Sequence, residues 1–304
     1  MNKNKYLLRT MMFVPGHIEK LMYKASESEA DALVFDLEDS CKPDSNKDVA
    51  RKIIKETVNT GIFEKFQIFV RINPRGTGFL FKDVSELTIK GIDGFLYPMA
   101  KSRGDIIFFS NLLTEIELSK GFEPGLFKIF PVIETAGGVL NGREICAASD
   151  RVVALGFGSE DFTTDLQSIR DEEGKSIFSP RAMIAFAARA EGVIPIDTPH
   201  INIHDMEGLE NHCKAAKTLG FGGMQILHPK EIETVHRIYS PTNEEIEEAR
   251  EMIRLSGEAE KEDRGVVVMN GKFVGPPLVK RARKIIESAD LVEYHTKRRK
   301  KENG

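Results

Sequence analysis

Acidic side chains stand where short apolar runs of this sequence end. Asp36-Leu37-Glu38-Asp39 closes one run, Glu134 another, and Gly156-Phe157-Gly158-Ser159-Glu160-Asp161 a third. Arg71 and Asn73 end a fourth, and Gln225 and His228 a fifth. A carboxylate withdrawn from water is costly unless it is paired or bound to a metal. Several of them converging with an arginine therefore point to a hard-cation site that takes an anionic substrate. Mg2+ uses one or two carboxylates and completes its shell with water and substrate oxygens. Glu134 and Asp161, from neighbouring runs, suit that role. Zinc is not expected. Arg71 lies between the apolar Val70 and Ile72, so its charge needs a partner, and its planar fork suits a carboxylate. Gly137-Gly138, just after Glu134, permits close approach of a ligand to the backbone. The same acids have a structural reading as helix caps or solvated loop ends, and Asp39 and Glu160 fit either.

For these groups to meet, the runs that carry them must be neighbouring parallel strands. Eight strand-like runs are expected: Leu7–Val14, Ala32–Leu37, Gln67–Ile72, Gly94–Tyr97, Phe127–Ile133, Val152–Phe157, Val193–Ile196 and Gly223–Ile226. They alternate with helix-period segments: Ile18–Ser28, Asn46–Asn59, Lys82–Lys90, Asp105–Ser119, Val139–Ala148, Pro180–Glu191, Asp205–Leu219 and Pro229–Arg237. Strand–helix alternation implies parallel strands joined by crossovers. Runs that are apolar throughout imply cover on both faces. Eight units close a (β/α)8 TIM barrel, whose chemistry sits at the C-terminal strand ends. An open doubly wound sheet lacks its fingerprint, because no G-x-G-x-x-G follows the first strand.

The barrel is expected to fill residues 1–240 and an extension residues 241–304. The extension reads as an amphipathic helix over Asn243–Arg264, a hairpin turning on Asn270-Gly271, and a helix over Leu278–Ala289. The basic run Lys297–Lys301 reads as a frayed, solvated end.

Composition excludes other classes. Of 304 residues 41% are hydrophobic and 30% charged, and the net charge is −4, as in a globular chain with no electrostatic pull toward nucleic acid. No stretch is apolar for long enough to cross a membrane. Cys41, Cys146 and Cys213 are too few and too scattered for a disulfide framework. A cytoplasmic protein with reduced thiols is expected.

Arg9-Thr-Met-Met-Phe-Val-Pro-Gly16, Phe35-Asp-Leu-Glu-Asp-Ser40, Val70-Arg-Ile-Asn73, Val132-Ile-Glu-Thr135, Leu155-Gly-Phe-Gly-Ser-Glu-Asp-Phe162 and His228-Pro229 resemble the citrate lyase beta subunit family. That family lies within the wider HpcH/HpaI aldolase and malyl-CoA lyase group. The resemblance runs from about Arg9 to Ala289. It implies a Mg2+-dependent carbon–carbon lyase that splits a citryl-, citramalyl- or malyl-CoA type thioester into acetyl-CoA and a 2-oxo acid. It places the metal on Glu134 and Asp161, and the substrate carboxylate on Arg71. It puts Glu38, Asp39 and Asp36 around the metal waters and substrate, and Arg9 near the thioester carrier, which is CoA or an acyl carrier protein. It further implies a homotrimer whose C-terminal segment covers a neighbour's site, and a place in a citrate lyase complex.

Two positions depart from the family pattern. The hairpin of the family ends in an acid/base Asp, and here that position is Gly275. The fourth strand ends in Pro98-Met99-Ala100-Lys101 where the family has Pro-Lys. Three readings follow: a lyase with another proton source, an aldolase acting on free 2-oxo-4-hydroxy acids, or a non-catalytic paralogue that binds Mg2+ with a 2-oxo acid or a CoA ester.

Overall fold

The computed structural model describes residues 6–169, 174–261 and 267–302. Two units are distinguished, Met1–Arg237 and Ile238–Gly304.

The first unit is a closed barrel of eight parallel strands in sequential order. The strands are β1 (Thr10–Pro15), β2 (Ala32–Asp36), β3 (Gln67–Arg71), β4 (Gly94–Tyr97), β5 (Lys128–Ile133), β6 (Ala154–Phe157), β7 (Ile194–Asp197) and β8 (Gly223–Ile226). Met11, Val34, Phe69, Leu96, Phe130, Val132 and Ile196 fill its interior, with Phe69 and Phe130 edge-to-face at 6.1 Å. The interior is a packed core, as closure of eight strands demands.

The helices around it are α1 (Glu19–Ser26), α2 (Asn46–Val58), α3 (Leu80–Leu87), α4 (Arg103–Ser119), α5 (Ala136–Leu140), α6 (Gly142–Cys146), α7 (Ser159–Asp165), α8 (Lys175–Ala190), α9 (Met206–Leu219) and α10 (Ile232–Tyr239). Ser102 begins α4 with a reciprocal capping box to Asp105, which satisfies two otherwise orphan amides. Three helices differ from expectation. The single helix expected over Val139–Ala148 is the pair α5 and α6, broken at Asn141. The loop expected after β6 holds α7, which carries Asp161. Helix α8 begins five residues before Pro180 and keeps that proline inside it. Proline suits a first turn, which is why the sequence placed the start too late.

The second unit holds α11 (Asn243–Lys261), the antiparallel strands β9 (Val267–Met269) and β10 (Lys272–Val274), and α12 (Pro276–Glu302). Asn270 and Gly271 both have positive φ, 50° and 74°, as a type I′ turn requires. Helix α12 runs far past Ala289 and absorbs the basic run that was expected to fray. Lys and Arg are good helix formers, and Glu293 pairs with Lys297 one turn on.

Among the described residues no helix is long and apolar enough to cross a membrane. The three cysteines are buried free thiols.

Arg9 is placed differently from its expected role near a carrier. It precedes β1, so it lies at the N-terminal face, opposite the strand ends that could carry chemistry. Its Nε and Nη2 each donate to Asp31, at 2.8 Å. Asp31 precedes β2 on the same face, and His236 Nε2 stands 3.5 Å from it. Both side chains are buried, so the pair is structural. Arg9→Ala, which strips a buried carboxylate of its main counter-charge, is expected to cost about 3 kcal/mol in denaturant unfolding. Any ligand affinity measured on the folded fraction should stay unchanged.

Candidate active site

Asp36 and Arg71 end adjacent strands and are register partners. Arg71 Nε donates to Asp36 Oδ1 at 2.7 Å and Nη2 to Oδ2 at 2.6 Å, a two-pronged pair. The Phe13 ring from β1 lies 4.9 Å from the guanidinium carbon. Asp36 also accepts from the Glu38 amide and from the Ser40 amide and hydroxyl. Burial alone would raise the Asp36 pKa, but Arg71 and these donors hold it below its ordinary value. Both its oxygens are therefore committed. Asp36 orients Arg71 and leaves no oxygen for a ligand, contrary to the substrate-binding role expected of it.

The third guanidinium nitrogen, Nη1, lies 3.1 Å from Glu38 Oε2 and 3.1 Å from Asp39 Oδ2. Asp39 is largely exposed and Glu38 largely shielded. One cation thus faces three carboxylates, and Asp36 already balances it. The surplus is visible in Glu38. Burial first, then the charges of Glu134, Asp39 and Asp36, outweigh Arg71 and push its pKa up to about 8.

Glu134 follows β5 and is 5% exposed. Its Oε2 accepts the Met99 amide at 2.6 Å. Burial, with Asp161 and Asp39 nearby, outweighs that bond and Arg71 and lifts its pKa to about 7. Asp161 is exposed in the first turn of α7 and is close enough to act on Glu134. No group of three His, Cys, Asp or Glu forms a cage among the described residues. Two carboxylates with open positions fit Mg2+, which is held by few protein ligands. The crowding of carboxyls fits it as well, because a cation relieves their mutual repulsion.

Gly137 is exposed and faces open space, whereas a Cβ on Gly138 would strike the Ala100 carbonyl at 2.6 Å. Of the two glycines, only Gly137 leaves room for a ligand. The remaining strand-end residues turn out to be braces. Asn73 binds Asp83 and Lys47. Gln225 ties the Phe157 and Asp197 carbonyls. His228 caps the turn before α10. Lys101 is exposed.

Sequence reasoning missed Met99 and Gly158, which flank Glu134. A Cβ on Gly158 would lie 2.6 Å from Glu134 Cγ. The Gly156-Phe157-Gly158 spacing was the available signal.

A parallel barrel with its unpaired charge gathered at the C-terminal mouth is the plan of a TIM-barrel enzyme. The family model described as HpcH/HpaI aldolase/citrate lyase matches residues 9–229. The citrate lyase subunit beta of Leuconostoc mesenteroides subsp. cremoris is 35% identical, over 94% of this chain and 95% of that protein. The L-malyl-CoA/beta-methylmalyl-CoA lyase of Cereibacter sphaeroides is 31% identical, over 93% and 95%. A solved structure of CitE from Mycobacterium tuberculosis with magnesium, acetoacetate and coenzyme A superposes with a TM-score of 0.74 at 26% identity, over 94% of this chain and 99% of that one. The chain belongs to the HpcH/HpaI aldolase/citrate lyase family and is a carbon–carbon lyase.

The raised carboxyls have a consequence in metal-free protein. A carboxyl whose folded pKa exceeds its unfolded one, 4.5 here, stabilises the fold below pH 4.5 and loses that contribution as pH rises through the folded value. In EDTA the thermal midpoint should therefore carry a falling component between about pH 5 and 8. Glu134→Gln should flatten that component, as calorimetry across this window would reveal.

Proposed function

We propose that the chain cleaves a 3-hydroxy-3-carboxyacyl thioester of the citryl-, citramalyl- or malyl-CoA type into acetyl-CoA and a 2-oxo acid. Support comes from the lyases it resembles and from one observation above all. Arg71, fixed by Asp36, stands beside more carboxylates than its single charge can balance among the described residues. Glu134 and Asp161 would hold Mg2+, with Glu38 and Asp39 placed around its waters. Bound there, the ion supplies stabilisation for negative charge developing on the substrate hydroxyl oxygen.

The residues of this chain divide the remaining work. Arg71 receives the substrate carboxylate through the donors that Glu38 and Asp39 occupy in the free protein. Asp36 keeps the guanidinium plane from turning, so the carboxylate is held in one orientation. Gly137 leaves the backbone open for the thioester arm. Cleavage removes the hydroxyl proton, turns that carbon into the 2-oxo carbonyl, and leaves the bonding pair on the thioester fragment as an enolate. Protonation of that enolate carbon completes acetyl-CoA. Gly275 has no side chain to give this proton, so another group or solvent provides it.

In this reading the protein is a cytoplasmic homotrimer in which residues 241–304 cover a neighbour's site. A solution mass near three times 34.1 kDa would support the trimer. Gly275 favours one second reading, a paralogue that binds a 2-oxo acid without turnover.

Purified protein with Mg2+ and each of the three thioesters should release 2-oxo acid, and Glu134→Ala should abolish release. Absence of release from all three, with pyruvate or oxaloacetate still bound, would leave the binding reading. Arg71→Lys should raise KM at least tenfold, because an ammonium cannot reproduce the two-pronged geometry. Gly275→Asp should raise the rate; an unchanged rate would assign the proton to a different donor.

A further inference from the structure

The carboxylate of Glu134 is held from two sides by features outside its own strand. On the first side, the segment that follows β4 carries one residue too many. Tyr97 lies opposite Pro131 in the β4–β5 ladder. An undistorted parallel ladder would next bring the Met99 amide to the Val132 carbonyl. Instead Ala100 donates that bond, at 3.0 Å, and Met99 is the extra residue of a bulge. Its φ is 53°, a left-handed conformation that a residue with a long side chain seldom adopts. The displaced amide is released from the ladder and aimed at Glu134 Oε2, 2.6 Å away.

On the second side stands Gly158, after β6. Its φ of −105° is open to any residue, so conformation does not require glycine there. Space does. The three atoms nearest to a Cβ at this position all belong to Glu134: Cγ at 2.6 Å, Oε1 at 2.8 Å and Cδ at 3.1 Å. The Glu134 side chain therefore occupies the volume that the glycine leaves. Oε2 is taken by the amide, and Oε1 has no hydrogen-bond partner among the described residues.

We propose that the Met99 bulge and Gly158 are positioning elements that seat Glu134 with Oε1 presented to a divalent cation, and that they set the cation affinity of this mouth. The Met99 backbone matters here and its side chain does not. The proposal rests on the reading of Glu134 as a cation ligand.

The test is titration of full-length protein with Mn2+ alone, an oxygen-seeking ion, followed by electron paramagnetic resonance. Thermal midpoints in EDTA are measured alongside. Loss of a group that orients a ligand typically weakens binding by roughly 10–100-fold. Gly158→Ala should weaken Mn2+ binding by that factor with its EDTA midpoint near wild type. Met99→Gly, which keeps the amide, should bind as wild type does. In a Glu134→Gln background Gly158→Ala should add no further loss, the signature of action through Glu134. If Gly158→Ala is insoluble, deletion of Met99, which returns the ladder to register, carries the same expectation.

Wild-type affinity in soluble Gly158→Ala overturns the proposal. So does an equal loss from it in the Glu134→Gln background, or a loss in Met99→Gly as large as that in Gly158→Ala. Equal Mn2+ binding by wild type and Glu134→Gln would overturn the ligand reading of Glu134, and the seat with it. Weakened binding in Glu134→Gln beside intact binding in Gly158→Ala would sink the seat alone.

Discussion

The salt bridge between Asp36 and Arg71 is what organises the charged mouth of this barrel. The two residues end neighbouring strands at the same level, so the register of β2 on β3 brings them together. A buried guanidinium with a two-pronged carboxylate partner keeps its charge and its plane. Arg71 is pushed further above its ordinary pKa: burial opposes this, but Asp36 and the other carboxylates outweigh it. With Asp36 spent on that pair, Glu38, Asp39, Glu134 and Asp161 are left with too little positive charge beside them to ionise together, and the pKa values of Glu38 and Glu134 rise. Such a mouth repels an anion unless a cation joins it; in the proposed reading Arg71 then offers the anion a fixed docking point.

Apart from Asp36, which Arg71 neutralises, the two faces of the barrel treat buried acids in opposite ways. On the N-terminal face Asp31 pairs with Arg9. Glu117 takes two bonds from Arg151 and the amides of Gly125 and Phe127. Burial would raise the Glu117 pKa, yet these partners hold it below its ordinary value. At the C-terminal mouth Glu38 and Glu134 have fewer partners and the opposite shift. This contrast is the physical content of the rule that stability lies at one end of such a barrel and chemistry at the other. Asp197 marks its boundary. It ends β7, but Arg181 on α8 and His212 on α9 satisfy it fully. It belongs to the outer layer, although its place in the chain is that of a site residue.

Much of this was legible in the residues. Local apolar periodicity and turn chemistry located the eight strands to within a few residues and the hairpin at Asn270-Gly271. Asking which charges follow apolar runs singled out Arg71, Glu38, Asp39, Glu134 and Asp161, and the fold gathers them at one mouth. The errors were local as well. Pro180 was read as a helix start, the basic run of α12 as a frayed end, and β1 as beginning three residues early; the place of Arg9 near a carrier came from the family resemblance alone.

Residue type and spacing told which groups could do chemistry, because a strand's apolar run and the charge that ends it are contiguous in the chain. Pairing was settled only by the folded barrel. Asp36 and Glu134 read alike as acids at strand ends, yet one is consumed by Arg71 and the other is left with a single amide. That difference follows from strand register and from one extra residue just after β4, contacts between segments about 35 positions apart. No local period encodes such contacts, since they exist only once the ladder between the strands has formed.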